Sequence, residues 1–151
     1  MRKITACGLL SLALASCSSL RIEHVDYGWP VEFVSPASQS NMVTADRYGL
    51  SFSVATIAAA EFQDSSALAG SQIRVLRSNE GFYFLTGPRF KHVYVFRCDE
   101  HALVKESVIE VSQTGLRDPR LNLRAPFVEL LDGEGFHKLL TRSEIQEGSN
   151  P

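Results

Sequence analysis

Phe82-Tyr83-Phe84-Leu85-Thr86, followed by Gly87-Pro88-Arg89-Phe90-Lys91 and then His92-Val93-Tyr94-Val95-Phe96-Arg97-Cys98, is the stretch that decides the fold. Two runs rich in β-branched and aromatic residues flank a turn in which Pro88 presets φ and cannot donate to a ladder. In the first run Phe82 and Phe84 point one way, Tyr83 and Leu85 the other. In the second, Val93 and Val95 oppose Tyr94 and Phe96. Strands that are apolar on both faces are covered on both faces. This hairpin is therefore expected at the centre of the sheet system. Cys98 shares the face of Tyr94 and Phe96 and is expected to be buried, as free cysteines commonly are.

Working towards the N-terminus, Ile73 to Leu76 reads as a strand ended by Ser78-Asn79-Glu80-Gly81, whose Asn and Gly tolerate the positive φ of a tight hairpin. Gln63 to Ser71 is a loop of small residues. Ala55 to Phe62 holds four alanines, so a helical turn competes there with continued strand. Tyr48, Leu50, Phe52 and Val54 alternate with Gly49, Ser51 and Ser53, the period of a half-buried strand. Val31 to Val34 is a short strand and Ser35 to Asn41 a loop.

Towards the C-terminus, Asp99-Glu100-His101 is a turn. Leu103 to Val111 is a long strand whose alternation slips near Glu106 and Ser107, the mark of a bulge. Gln113 to Ala125 is expected to be irregular. Pro126 to Leu131 and Phe136 to Thr141 flank Asp132-Gly133-Glu134-Gly135 as a further hairpin. Ser143 to Pro151 is polar and expected to be a disordered tail. The fold class is thus mostly β: antiparallel hairpins in a meander, forming a small sandwich or curved sheet. The alternative is α+β, with a short helix near 55–69. The folded domain spans 30–142, with Trp29 expected as a lid on its core.

The hairpins from Ile73 to Val111 resemble one blade of an NHL-type β-propeller, through Phe84-Leu85-Thr86-Gly87, a basic turn and Val93-Tyr94-Val95-Phe96. A closed propeller needs typically four or more blades, and the chain has room for fewer, so the resemblance implies a local strand order only.

Arg117, Arg120 and Arg124 are interleaved with Leu116, Leu121 and Leu123. Such a cluster can grip a carboxylate, phosphate or sulfated glycan, since guanidinium forks match those groups. The competing reading pairs the arginines with Asp118 and Glu129. His92 and His101 with Asp99 and Glu100 carry metal-ligand atoms, but their spacing matches no zinc signature. Asp132 to Gly135 lacks the alternate carboxylates of a calcium loop. No Gly-x-Ser-x-Gly, His-Glu-x-x-His, phosphate loop or Gly-x-Gly-x-x-Gly occurs. No cofactor, metal or catalytic residue is expected, although nucleophile–base pairs meet in space rather than in sequence.

The first residues carry a separate signal. Met1, Arg2 and Lys3 are followed by an apolar run from Ile4 to Leu14 and the small residues Ala15 and Ser16 before Cys17. A positive start, apolar middle and small-residue cleavage site describe a secretory signal, and the run is too short for a membrane span of about 20 residues. Leu14-Ala15-Ser16-Cys17 resembles the lipobox of bacterial lipoprotein precursors. The resemblance implies removal of residues 1–16 and lipid on the Cys17 thiol and on the new amine. More than one chain is what stable anchoring requires. Residues 17–29 are then a lipidated tether, its 12 residues after Cys17 reaching at most about 40 Å. Ser18 does not resemble the Asp that follows the cysteine in inner-membrane-retained lipoproteins of enterobacteria, so the expected place is the outer membrane, facing the periplasm.

Loss of residues 1–16 removes Arg2 and Lys3 and no acid, moving the formal charge from −2 to −4. A mildly acidic domain is a poor partner for nucleic acid, whose binding rests on basic surface. The expected function is a lipid-anchored envelope protein with a non-catalytic binding or scaffolding β domain, its partners being the membrane through Cys17 and a protein of the envelope. The rivals are a subunit of an envelope assembly complex and a small hydrolase or carbohydrate-acting enzyme.

Overall fold

A computed structural model of the protein describes residues 32–100 and 102–146, except the side chain of Arg47. The expectations placed on Cys17, Trp29, His101 and residues 147–151 lie outside the described residues. Among the described residues the strands are β1 (Phe33–Pro36), β2 (Met42–Ala45), β3 (Leu50–Ser53), β4 (Gln72–Arg77), β5 (Phe82–Thr86), β6 (His92–Asp99), β7 (Ala102–Glu110), β8 (Pro119–Arg124), β9 (Phe127–Asp132) and β10 (His137–Leu140), with one α-helix, α1 (Ala55–Phe62). The fold is mostly β, and no helix among the described residues is long and apolar enough to cross a membrane.

The middle layer is an antiparallel sheet in the order β1-β4-β5-β6-β7. The alternation in β5 and β6 sends side chains into two separate cores. Tyr83, Leu85 and Tyr94 join Val43, Val54, Ile57 and Leu68 beneath the β2–β3 hairpin and α1. Phe84, Val93 and Val95 join Leu121, Val128, Leu130 and Leu140 beneath a second sheet, ordered β10-β9-β8. The central hairpin is thus covered on both faces, the condition that its two-sided apolar pattern demands.

Local chemistry sets the elements around it. The alanines favour α1 over continued strand, and Gln63 at φ 59° ends the helix, its N–H donating to the Ala59 carbonyl. In β7 the pairing steps from Val95↔Ser107 to Phe96↔Lys105, leaving Glu106 without an opposite partner. That bulge lies at the slip in the alternation. It inverts the parity, so that Leu103 packs with the helix-side core and Ile109 with the sheet-side core.

Several boundaries differ from the sequence reading. β1 runs to Pro36 rather than ending at Val34; it is a sheet edge, where a proline costs no ladder bond. β8 occupies Pro119–Arg124 of the segment expected to be irregular, because Pro119, Leu121 and Leu123 alternate with Arg120, Asn122 and Arg124. Its turn to β9 is Ala125–Pro126, joined by a cis peptide bond. Ser143–Gln146, expected in the tail, folds back instead. Leu140 bridges Ile145, Ile145 packs on the sheet-side core, and the N–H groups of Ser143 and Glu144 donate to Thr141 Oγ1. Folded structure therefore continues past residue 142. Cys98 is exposed, not buried. It lies in the last part of β6, where Arg97 to Asp99 are all exposed, whereas Val93 to Val95 are buried.

Candidate functional site

The arginine cluster leads to the outer face of the β8–β10 sheet. Alternation in each strand turns one set of side chains into the core and leaves Arg120, Asn122 and Arg124 of β8, Phe127, Glu129 and Leu131 of β9, and His137 and Leu139 of β10 on the other side. The register then lays Asn122, Glu129 and Leu139 in one cross-strand row, and Arg120, Leu131 and His137 in the next.

Glu129 is the centre of this face. Its side chain is 12% exposed, unusual for a carboxylate with no layer above it among the described residues. Asn122 Nδ2 donates to its Oε2 at 3.0 Å, and Arg124 Nη1 to its Oε1 at 3.1 Å. His137 Nε2 lies 2.7 Å from Oε1. Burial pushes the Glu129 carboxyl up, but the hydrogen bonds from Asn122 and Arg124 and the nearby His137 outweigh it, and the carboxyl is held below its ordinary range. Around this network, Arg124, Phe127, Glu129, Leu131, His137 and Leu139 line an open groove of about 540 Å³.

The other arginines are placed differently. Arg120 pairs with Asp118 at 3.1 Å, and Asp118 pairs in turn with Arg74 at 3.1 Å. Arg74 also holds Glu32 at 2.7 Å, and the second oxygen of Glu32 accepts the Leu121 N–H. These charges seal the free edge of β8. Arg117 precedes the strand; its N–H and that of Asp118 donate to the Asp132 carboxylate. No carboxylate among the described residues pairs with the Arg117 guanidinium. The structure thus brings Arg120 and Arg124 to one face and leaves Arg117 at its margin. Asn122, Phe127, Leu131, His137 and Leu139 were not singled out by sequence. The available signal was β9 itself, Phe-Val-Glu-Leu-Leu, apolar on both sides of the alternation.

A second polar cluster joins α1 to β6. The Glu61 side chain is 1% exposed and lies 2.8 Å from His92 Nδ1; its other oxygen accepts the Lys91 N–H at 3.1 Å. Burial and the Glu61 charge raise the Tyr94 hydroxyl well above its ordinary range. Among the described residues no nucleophile is hydrogen-bonded to the His92 imidazole, so the nucleophile–base–carboxylate arrangement of covalent catalysis is not assembled there. The cluster fastens the helix to the sheet. No three His, Cys, Asp or Glu side chains among the described residues converge to hold a metal ion.

The lowered Glu129 pKa has a signed consequence. Ionised Glu129 contributes stability above its unfolded pKa of about 4.3, and the contribution is lost as pH falls through the lower folded value. Glu129→Gln is therefore expected to lose less stability than the parent between about pH 5 and about pH 3. Urea denaturation across that range checks this; parallel curves would mean that the network does not form in solution.

Comparison with protein-family models, with curated proteins and with solved structures finds no match.

Proposed function

We propose that the protein is a lipid-anchored component of the cell envelope, held through Cys17 at the periplasmic face of the outer membrane, and that its β domain is a non-catalytic binding module whose ligand seats on the outer face of β8–β10. The anchor rests on the lipobox resemblance of Leu14-Ala15-Ser16-Cys17. The binding face rests on one observation: β9 is apolar on both faces, yet among the described residues only its Val128 and Leu130 are covered by another layer, while Phe127 and Leu131 flank a nearly buried carboxylate on the other side. Antiparallel sheets with one solvated face ordinarily carry polar residues there, whereas here Phe127, Leu131 and Leu139 line a groove around the carboxylate.

The assembly-subunit reading is less favoured. The long free strand β7 carries Lys105, Glu106, Glu110 and a bulge, devices that discourage strand addition.

The test is a pair of measurements on one protein. Metabolic labelling with an alkyne fatty acid is expected to mark the parent and not Cys17→Ser. Adding solubilised envelope extract to the isotope-labelled native protein is expected to shift the NMR resonances of Phe127, Glu129, Leu131 and His137. The binding-face reading fails if the shifts fall elsewhere or are absent, and the anchor reading fails if Cys17→Ser is labelled like the parent.

A further inference from the structure

We infer that the outer face of β8–β10 takes an uncharged polyhydroxylated ligand, a saccharide chain, gripped by Asn122, Arg124, Glu129 and His137 with its C–H faces against Phe127 and Leu139; this rests on the reading of that face as the binding surface.

Size is the first argument. Strands spaced by about 4.8 Å and rising about 3.4 Å per residue give three strands of five residues roughly 250 Å² of face. A stable protein interface needs about 800 Å² from each partner. The face is too small for a protein and of the right order for one or two sugar rings.

Charge is the second. An anionic ligand meets the Glu129 carboxylate at the centre of the groove, and a cationic ligand meets Arg124 in its lining, with Arg120 opposite the groove residue Leu131. Both arginines are already paired with acids, at 3.1 Å each. What is left over is a mixed set. Arg124 has N–H donors beyond the Nη1 that Glu129 uses, and Asn122 has a carbonyl oxygen, since among the described residues only its Nδ2 is engaged. His137 has its second ring nitrogen, since only Nε2 faces the carboxylate. Hydroxyl groups both donate and accept, so a row of them matches such a set where a carboxylate or an ammonium does not.

Rigidity is the third. The polar groups hold one another in place, and the cross-strand row of Asn122, Glu129 and Leu139 fixes their spacing. A prearranged site avoids the ordering cost that weakens binding by free surface side chains. Phe127 and Leu139 line the same groove and supply apolar surface for the sugar ring.

The probes are cellotetraose, maltotetraose and the tetramer of N-acetylglucosamine, with a heparin tetrasaccharide as the sulfated counterpart. Each is titrated to millimolar concentration into the isotope-labelled native protein, held in a detergent without a sugar headgroup. At least one neutral tetrasaccharide is expected to shift Asn122, Phe127, Glu129 and His137, and Asn122→Ala, on an exposed position of an edge strand, is expected to weaken it by about tenfold while the domain stays folded, its near-ultraviolet dichroism retained. The inference is overturned if no neutral sugar shifts the face, or if heparin binds it more tightly than all of them. If envelope extract still shifts the face in those cases, the binding surface stands and only the saccharide class falls. If the extract does not, both readings fall.

Discussion

Phe84→Ala is expected to leave the protein marginally folded at best. Phe84 is 2% exposed and lies mid-strand in β5, opposite Leu76 on one side and Val95 on the other. It points into the core shared with Leu121, Val128, Leu130 and Leu140, so its removal opens a cavity between two sheets that close the space from both sides. Truncating a buried Phe typically costs about 3–5 kcal/mol, a large share of the roughly 5–15 kcal/mol that holds a domain together. A fall in melting temperature of about 10–20 °C is expected for a domain of this size. Val108→Ala, at a residue 42% exposed on β7, is the control and is expected to change stability by about 0.5 kcal/mol or less. Thermal melts followed by near-ultraviolet dichroism compare the two. If Phe84→Ala melts within a few degrees of the parent, the two-sided core is wrong. The aromatic residues of β5 and β6 would then become candidates for a binding platform.

Gly115→Ala is expected to be nearly as damaging, for a backbone reason. Gly115 has φ 92°, and a Cβ there would lie 2.7 Å from the Arg89 carbonyl oxygen and 3.1 Å from its carbon. No rotamer change relieves a clash with backbone. The contact is flanked by two hydrogen bonds, Arg89 N–H to the Leu116 carbonyl and Leu116 N–H to the Phe90 carbonyl. Moving Gly115 away therefore drags Leu116 and Phe90, each buried in a different core. The left-handed conformation alone costs a non-glycine residue about 1–2 kcal/mol, and the displaced contacts bring the total to about 2–4 kcal/mol. Gly133→Ala isolates the first effect: φ is 67° and nothing lies within 4 Å. Guanidinium denaturation should show Gly115→Ala clearly less stable than Gly133→Ala. Equal losses would mean that the 112–116 segment does not pack against Arg89.

Much of the architecture was legible because it rests on local rules. The two-sided apolar pattern of Phe82 to Phe96 placed β5 and β6 between two layers. Asn79 and Gly81, Gly87 and Pro88, and Gly133 and Gly135 marked three of the turns, and the broken alternation at Glu106 marked the bulge. Other elements were hidden. β2 offers only Met42–Ala45, too short for a period to emerge. β8 was obscured by reading Arg120 and Arg124 as a charge cluster rather than as one face of an alternation. α1 stayed in competition with strand until Ile57 and Ala58 found the helix-side core.

The binding face shows where local rules stop. Alternation decides which side chains share a face, and it placed Phe127, Glu129 and Leu131 together, as it placed Cys98 with Tyr94 and Phe96. It does not decide whether anything covers that face. Coverage depends on how far the helix, the hairpin and the second sheet extend, which long-range packing settles. Cys98 is exposed although Leu103, its partner across the ladder, packs on the helix-side core. Glu129 is nearly buried under side chains from β8 and β10, residues 122, 124 and 137, because strand register, not sequence distance, sets its neighbours. The amino-acid sequence by itself determined the period of each strand, the chemistry of its turns and the two-sidedness of its centre. Tertiary structure alone decided which faces were left open, since a strand's own residues carry no record of where its neighbours end.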